Sequence, residues 1–155
     1  MVKPKRTGLR TILITGGSSG IGLALARDLV SKGERVCVVD RDSSSSALHL
    51  VSKGRGRFFK RDVRGFAAAQ EVVRVLTDAF GHVDGLVNCA GISRAKVCWE
   101  MSEEEWDDVI DVDLKGAFNY TRAVAPVMRR QRAGRIVNVS SVNAMRGKWG
   151  LANYS

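Results

Sequence analysis

The chain has 155 residues, of which 45% are hydrophobic and 26% charged, a composition typical of one globular domain that excludes a disordered polypeptide. No uncharged apolar stretch approaches the ~20 residues that a membrane-spanning helix needs. The three cysteines form no C-x-x-C pair, which argues against a disulfide framework or a zinc ribbon. We therefore expect a single domain over residues 1–155, located in the cytoplasm, with no membrane span and no metal site.

The formal net charge of +9 is unevenly distributed along the chain. Residues 1–77 hold 15 basic and 6 acidic side chains, whereas residues 78–155 hold 10 of each. Neither an aromatic-interleaved basic motif nor a zinc-finger spacing accompanies the basic excess. We therefore expect no nucleic-acid partner, and the charge is interpreted as solvated surface that also attracts phosphorylated ligands.

Short apolar runs rich in β-branched residues alternate with segments of helical periodicity. In chain order we predict a strand at Arg10–Thr15, a helix at Gly20–Lys32, a strand at Arg35–Asp40, a short helix ending at Lys53 after the polar run Ser43–Ser46, a strand at Arg57–Lys60, a helix at Gly65–Phe80, a strand at Val83–Asn88, a long helix at Ser102–Arg130 and a strand at Arg135–Ser140. Apolar strands separated by helices predict an α/β fold, a Rossmann-like doubly wound parallel sheet with strand order 3-2-1-4-5.

Local signals refine the last two of these elements. Ser102 followed by Glu105 predicts a capping box at the start of the long helix. Pro126 predicts a kink or a break near its end. The fifth strand, Arg135–Ser140, has little charge, which is typical of a strand inside a sheet, and we expect later strands to be added beside it; without them its outer N–H and C=O groups would be unpaired.

A glycine-rich turn joins the first strand to the first helix. Gly16 allows a tight turn, Gly20 lets the backbone approach a pyrophosphate, and Gly22 lets the helix pack close to the sheet. The helix N-terminus would supply free N–H groups and a partial positive charge. Asp40 ends the second strand, where a carboxylate can accept hydrogen bonds from the adenosine ribose. The alternatives are a loop that needs positive φ and an ordinary surface aspartate.

Further motifs follow this turn in the order seen in one protein family. They are Gly16-x-x-x-Gly20-x-Gly22, Asp62-Val63, Asn88-Cys-Ala90-Gly91, and Ser140-Ser141 with Tyr154 thirteen residues after Ser141. Over essentially its whole length the chain resembles the short-chain dehydrogenase/reductase family, and most of all the 3-oxoacyl-carrier-protein reductase branch. Sugar, steroid and alcohol dehydrogenases share the same patterns.

The resemblance implies a function and a role for each matching residue. It implies hydride transfer between a nicotinamide and a ketone or secondary alcohol, with Tyr154 exchanging the proton at the substrate oxygen and Ser141 holding that oxygen. The implied cofactor-binding residues are Gly16, Ser18, Ser19, Gly20, Ile21, Asp40, Asp62, Val63, Asn88, Ala90 and Gly91. Among them Asp62 would bind the adenine amino group, while Asn88, Ala90 and Gly91 would line the cofactor.

Two departures from the family pattern bear on activity. Asp113 stands where the family has an asparagine, and an ionised aspartate cannot donate a hydrogen bond. The family also has a lysine four residues after the tyrosine, whereas this sequence ends at Ser155. Family members have about 250 residues and seven strands, so five strands are expected here. We expect residues 1–155 alone to be inactive and to self-associate through the fifth strand, or to belong to a longer chain.

The cofactor prediction is NAD, with NADP as the alternative. Asp40 would repel a 2′-phosphate, whereas the neighbouring Arg41 could bind one. Ser19 stands where many NADP-preferring relatives have a basic residue, but the oxoacyl-reductase branch itself often uses NADP. The resemblance also implies a homo-oligomer paired through its long helices. A dinucleotide-binding module without turnover is the alternative function.

Overall fold

The computed structural model describes residues 8–155 and contains one five-stranded parallel sheet. The strands are β1 (Thr11–Thr15), β2 (Arg35–Asp40), β3 (Phe58–Lys60), β4 (Gly85–Asn88) and β5 (Arg135–Asn138). Their order across the sheet is β3-β2-β1-β4-β5, and every neighbouring pair is parallel. The predicted doubly wound α/β fold is confirmed.

Helices connect the strands and cover both faces of the sheet. They are α1 (Gly20–Ser31), α2 (Ser45–Lys53), α3 (Phe66–Phe80), α4 (Glu103–Val109), α5 (Gly116–Gln131) and α6 (Val142–Arg146). Side-chain caps fix the starts of α2 and α4, among others. Ser44 Oγ accepts a hydrogen bond from Ala47 N–H at the start of α2, and Ser102 and Glu105 form the predicted capping box at α4. Among residues 8–155 no helix combines the length and the apolar character that crossing a bilayer requires.

Two hydrophobic layers, one on each face, hold the helices to the sheet. Leu13 and Ile14 are adjacent in β1 and both fully buried, because successive side chains of a strand point to opposite faces. Leu13 packs in the layer that contains Leu76 of α3 and Tyr120 of α5. Ile14 packs in the layer that contains Ala26 of α1 and residues of α2. Because all five strands are parallel, their carboxyl ends lie at the same end of the sheet.

The predicted helix Ser102–Arg130 is divided in the structure. Between α4 and α5 the backbone forms a π-helical segment, Ile110–Lys115, whose wider turn displaces the following residues from the α-helical register. Pro126 lies inside α5, which continues to Gln131. The break predicted at Pro126 is therefore wrong, because proline removes one backbone hydrogen bond without ending the helix here. The helix ends where Arg132 adopts a left-handed conformation.

β5 lies at the end of the predicted strand order. Within residues 8–155 it pairs with β4 alone, so its outer edge is unpaired, as expected for these five strands. Its apolar side chains are exposed, with Val137 52% exposed. The short helix α6, which follows Ser141, was not predicted from the sequence.

Candidate active site

A cleft of about 980 Å³ lies along the carboxyl ends of the strands. In open parallel sheets, ligands bind at the carboxyl ends of the strands, beside the point at which the strand order reverses. Here that point lies between β1 and β4, because the chain runs outward from β1 to β3 and then returns to β4. All the predicted site residues except Ser18 line the cleft.

The glycine-rich turn forms the floor of the cleft at the start of α1. Gly16 has a φ of +69°, and a Cβ there would lie 2.7 Å from the Ala90 backbone, so only glycine fits between these two loops. Gly20 has a φ of +50°, and a Cβ there would point into open space. The turn therefore leaves an unobstructed cradle directly before the helix.

The N-terminus of α1 is suited to an anion. Its N-cap residue, Ser19, makes no side-chain capping bond, and the first turn contains no acidic residue. The unpaired N–H groups and the helix dipole therefore face the cleft without a competing carboxylate. This geometry fits a pyrophosphate.

Asp40 is connected to the glycine-rich turn from the end of β2. Its Oδ2 accepts a hydrogen bond from Ser18 N–H at 2.9 Å, and its Oδ1 accepts one from Asp42 N–H at 3.3 Å. Ser18 itself lies behind the turn, where Ser44 Oγ donates to its carbonyl oxygen at 2.9 Å. The predicted contact between Ser18 and a cofactor therefore stays a prediction, while its backbone orients Asp40.

Asp62, which follows β3, belongs to an ion-pair network at the β3 end of the cleft. Its carboxylate accepts hydrogen bonds from Arg64, the shortest from Nη2 at 2.7 Å, and Arg64 also contacts Asp108 at 3.2 Å. The Arg64 guanidinium holds the pKa of Asp62 below its ordinary value. Asp62 is therefore an ionised acceptor at the cleft, already bonded to one donor residue.

The loop after β4 is fixed by polar contacts from neighbouring strands. Thr15 Oγ1 accepts hydrogen bonds from Cys89 N–H at 3.1 Å and from Ala90 N–H at 3.2 Å. Asn88 Nδ2 donates to Asn138 Oδ1 at 2.7 Å, while its buried Oδ1 has no partner among the described residues. Because a buried acceptor without a donor is costly, Asn88 Oδ1 marks a position where a ligand donor would fit.

Ser141 and Tyr154 both line the opposite end of the cleft. Ser141 Oγ accepts from Asn143 N–H at 3.2 Å as the N-cap of α6, so its hydroxyl proton remains available to a ligand oxygen. Tyr154 is positioned by its buried neighbour Asn153, whose Nδ2 donates to Arg94 O at 3.1 Å and to Glu105 O at 2.9 Å. Sequence reasoning missed Asn153, because a buried amide that bridges a loop and a helix leaves no periodic signal.

Asp113 enters the cleft from the π-helical segment. Its Oδ1 accepts a hydrogen bond from Ile92 N–H at 2.8 Å, which connects the segment to the loop after β4. Burial raises the pKa of this carboxyl. No cation pairs with Asp113 among the described residues, so its charge is compensated only by that N–H group.

The cations of the cleft are concentrated at one end. Among the described residues the basic side chains that line it are Arg41 and Arg61, which follow β2 and β3. Ser141 and Tyr154 lie at the β5 end, so the positive charge is separated from the two hydroxyl groups.

Comparison with known proteins places these features in context. The chain is 39% identical over 152 residues to an acetoacetyl-CoA reductase of Allochromatium vinosum, and 39% identical over 150 residues to the 3-oxoacyl-[acyl-carrier-protein] reductase FabG of Staphylococcus epidermidis. Each alignment covers 94% of this chain and 62% of the relative. The chain thus spans less than two thirds of the length of these relatives.

A solved structure and a family model agree with these similarities. The structure of ElxO with NADP bound superposes with a TM-score of 0.87 at 27% sequence identity, covering 95% of this chain and 61% of that one. The model of the short chain dehydrogenase family matches residues 10–155. The glycine-rich turn, the strand order and the Ser141 and Tyr154 positions all lie within that match, and the chain therefore belongs to the short-chain dehydrogenase family.

Proposed function

We propose that this protein is an NAD(P)-dependent oxidoreductase that transfers hydride between a nicotinamide and a ketone or secondary alcohol. The observation that carries the proposal is the single cleft, which has a phosphate cradle at Gly20 and two hydroxyl groups, on Ser141 and Tyr154, at its other end. The names of the relatives make 3-oxoacyl thioesters the first substrates to test.

The glycine-rich turn would hold the pyrophosphate of the cofactor. Gly16, Ser19, Gly20 and Ile21 line this part of the cleft, and the N-terminus of α1 offers its free N–H groups there. Ser18 contributes indirectly, because its N–H group positions Asp40. The buried Ser18 Oγ has no partner among the described residues.

The remaining cofactor residues divide between adenosine and nicotinamide. Asp40 would accept hydrogen bonds from the ribose hydroxyls, and Asp62 with Val63 would contact the adenine. Asn88, Ala90 and Gly91 would line the middle of the cofactor along the loop after β4. The side chain of Asp40 favours NAD, whereas the adjacent Arg41 and the NADP in ElxO favour NADP.

The chemistry would occur at the β5 end of the cleft. The bound nicotinamide would supply or accept the hydride. Tyr154 would give its hydroxyl proton to the substrate oxygen as negative charge develops there, and Ser141 would donate a hydrogen bond to the same oxygen. A phenol gives up its proton readily near neutral pH only beside a cation, and in the described part of the cleft Arg41 and Arg61 lie at the other end.

This separation of charge favours a second candidate, a dinucleotide-binding module without turnover. NADPH oxidation with acetoacetyl-CoA distinguishes the two functions, and NADPH binding is measured on the same samples. The chain offers a matched pair of variants, Tyr154→Phe and Tyr120→Phe. The Tyr120 hydroxyl is buried in the core with no partner among the described residues.

The proposed enzyme predicts turnover that Tyr154→Phe abolishes and Tyr120→Phe preserves. In the full-length protein, binding without turnover would assign the protein to the second candidate, whereas residues 1–155 alone are expected to be inactive in either case. A protein that binds neither NADH nor NADPH would contradict both functions.

We also propose a cytoplasmic homo-oligomer paired through its long helices. Leu114 of the π-helical segment and Phe118 of α5 are large apolar side chains exposed to solvent. They lie four residues apart and therefore share one helix face. Such a face supports a contact between subunits.

A further inference from the structure

Ser44 forms two hydrogen bonds at the point where the loop after β2 meets α2. Its Oγ accepts from Ala47 N–H at 3.1 Å, which caps α2, and it donates to the carbonyl oxygen of Ser18 at 2.9 Å. A serine hydroxyl has one proton, so the bond to Ser18 uses the only donor of this side chain. Ser44 therefore connects α2 to the glycine-rich turn.

The carbonyl group that Ser44 holds belongs to the peptide unit between Ser18 and Ser19. This peptide is trans, and the C=O and N–H bonds of a planar trans peptide point in opposite directions. Ser19 lines the cleft, whereas Ser18 and Ser44 do not. Because Ser44 fixes the Ser18 carbonyl behind the turn, the Ser19 N–H group is directed to the opposite side, towards the cleft.

The Ser19 N–H group is available to a ligand. It donates to no acceptor among the described residues, and Ser19 is the N-cap of α1, where free N–H groups favour an anion.

The loop after β2 holds Ser18 at two points. Asp40 Oδ2 accepts from Ser18 N–H at 2.9 Å, and Ser44 Oγ donates to Ser18 O. Both main-chain polar groups of Ser18 are therefore bonded to this loop, so the turn is oriented before a ligand binds. Asp40 was indicated by its position at the end of a strand, whereas Ser44 belongs to no motif of the sequence.

We propose that Ser44 is a positioning residue for the cofactor, which acts by directing the Ser19 N–H group at a phosphate of the dinucleotide. The inference rests on the proposed function, because it requires a pyrophosphate at the glycine-rich turn. Ser44 itself touches no ligand, since it lies outside the cleft. Its effect on binding depends on the alignment of one N–H donor with a charged acceptor.

The direct test is fluorescence titration of Ser44 variants with NADH and NADPH, with the Tm measured on the same samples. Ser44→Ala removes both hydrogen bonds and should weaken each cofactor about fivefold. Ser44→Thr keeps a hydroxyl group at this position and should bind both cofactors as the parent protein does.

Ser102→Ala is the matched control for the loss of a helix cap. Ser102 Oγ accepts from Glu105 N–H at 3.1 Å at the start of α4, and Ser102 does not line the cleft. Ser102→Ala and Ser44→Ala should both lower the Tm, because each removes a capping hydroxyl. Only Ser44→Ala should also weaken cofactor binding.

Ser44→Asp separates helix capping from positioning. An aspartate can accept the Ala47 N–H bond as a cap, but its ionised carboxylate has no proton to donate to the Ser18 carbonyl. Ser44→Asp should therefore have a higher Tm than Ser44→Ala and still bind NADH at least about fivefold more weakly than the parent protein. Ser43→Asp places the same charge on the exposed neighbouring residue and should leave NADH affinity unchanged.

Three results would overturn the proposal alone. They are cofactor affinities that follow the Tm across all variants, Ser44→Asp binding NADH as tightly as the parent protein, and Ser43→Asp weakening NADH as much as Ser44→Asp does. The first two would limit Ser44 to stabilising α2, and the third would assign the effect to charge. A parent protein that binds neither NADH nor NADPH would overturn the proposed function together with this inference.

Discussion

Asp40 makes a hydrogen bond within the glycine-rich turn and is also proposed to contact the cofactor. It accepts a hydrogen bond from Ser18 N–H, so its removal would both loosen the glycine-rich turn and relieve repulsion of a 2′-phosphate. Asp40→Asn keeps an acceptor oxygen in place and removes only the charge. Comparison of Asp40→Ala with Asp40→Asn therefore separates the positioning of the glycine-rich turn from the electrostatic effect on the cofactor.

We predict that both variants shift the ratio of NADPH to NADH affinity towards NADPH by about tenfold, corresponding to ~1.4 kcal/mol. Only Asp40→Ala should also weaken both cofactors. Fluorescence titration with NADH and NADPH measures all four affinities. An unchanged ratio would assign the preference to Arg41 or another residue.

At the residue scale, the motif residues were easier to predict than the residues to which they form hydrogen bonds. The sequence indicated Asp40 because it ends a recognisable strand, and Asp62 because Asp62-Val63 matches a motif of the family that the chain resembles. It did not indicate that Arg64 binds Asp62 or that Ser18 N–H is used by Asp40. Such contacts depend on loop geometry, which a side-chain pattern does not encode.

Asp113 in the π-helical segment is expected to make the stability of the folded protein depend on pH. Burial raises the pKa of Asp113, so the folded state binds its proton more tightly than the unfolded state does. The stability that this contributes is fully present below the unfolded pKa of ~3.9 and is lost as the pH rises through the folded pKa.

Asp113→Asn should therefore unfold at a higher temperature than the parent protein at pH 7. The asparagine stays neutral, and its Oδ1 can still accept from Ile92 N–H. The advantage should shrink as the pH falls towards 4, where Asp113 is protonated as well. Thermal unfolding followed by circular dichroism across this pH range tests the prediction, and a difference that does not vary with pH would contradict it.

Element boundaries followed from the sequence where caps and periodicity agreed. The capping box at Ser102 and the end of α3 before Gly81 are as predicted. The π-helical segment was missed because its residues keep helical composition while the hydrogen-bond spacing changes. α6 was missed because none of its five residues is buried and they carry no amphipathic pattern.

At the scale of the molecule, two surfaces could mediate self-association. β5 presents an edge that pairs with no other strand among residues 8–155, and unpaired edges promote association. The exposed face of α5 at Phe118 is the other surface.

We predict that the 155-residue chain associates through β5 as well as through the α5 face, so that Val137→Lys and Phe118→Lys each lower its association state and only the double variant is monomeric. A lysine at a strand edge opposes pairing with another strand because its charge would have to be desolvated. Sedimentation velocity over a range of protein concentrations provides the measurement. A parent chain that stays monomeric at every concentration would contradict the prediction, and complete dissociation by Phe118→Lys alone would favour the helix contact.

The fold as a whole was predictable because two independent signals agreed. Strands such as Arg35–Asp40 are apolar on both faces, which requires helices on both sides, and the glycine-rich turn identifies the first crossover. The position of β5 beside β4 also followed from the predicted strand order.

The central claim is that the cradle at Gly20 binds a dinucleotide, and a matched pair of glycine variants tests it most directly. Gly20 and Gly33 both have positive φ, of +50° and +80°, and a Cβ at either would meet no atom within 4 Å. They lie at opposite ends of α1, and only Gly20 lines the cleft. Gly20→Val and Gly33→Val should therefore cause similar backbone strain.

The measurement is fluorescence titration of the parent protein and both variants with NADH and NADPH. We predict that Gly20→Val weakens the preferred cofactor by at least about tenfold, because its side chain occupies the space of the pyrophosphate, and that Gly33→Val binds as the parent does. Equal affinity of Gly20→Val and the parent protein would contradict the assignment of the cleft.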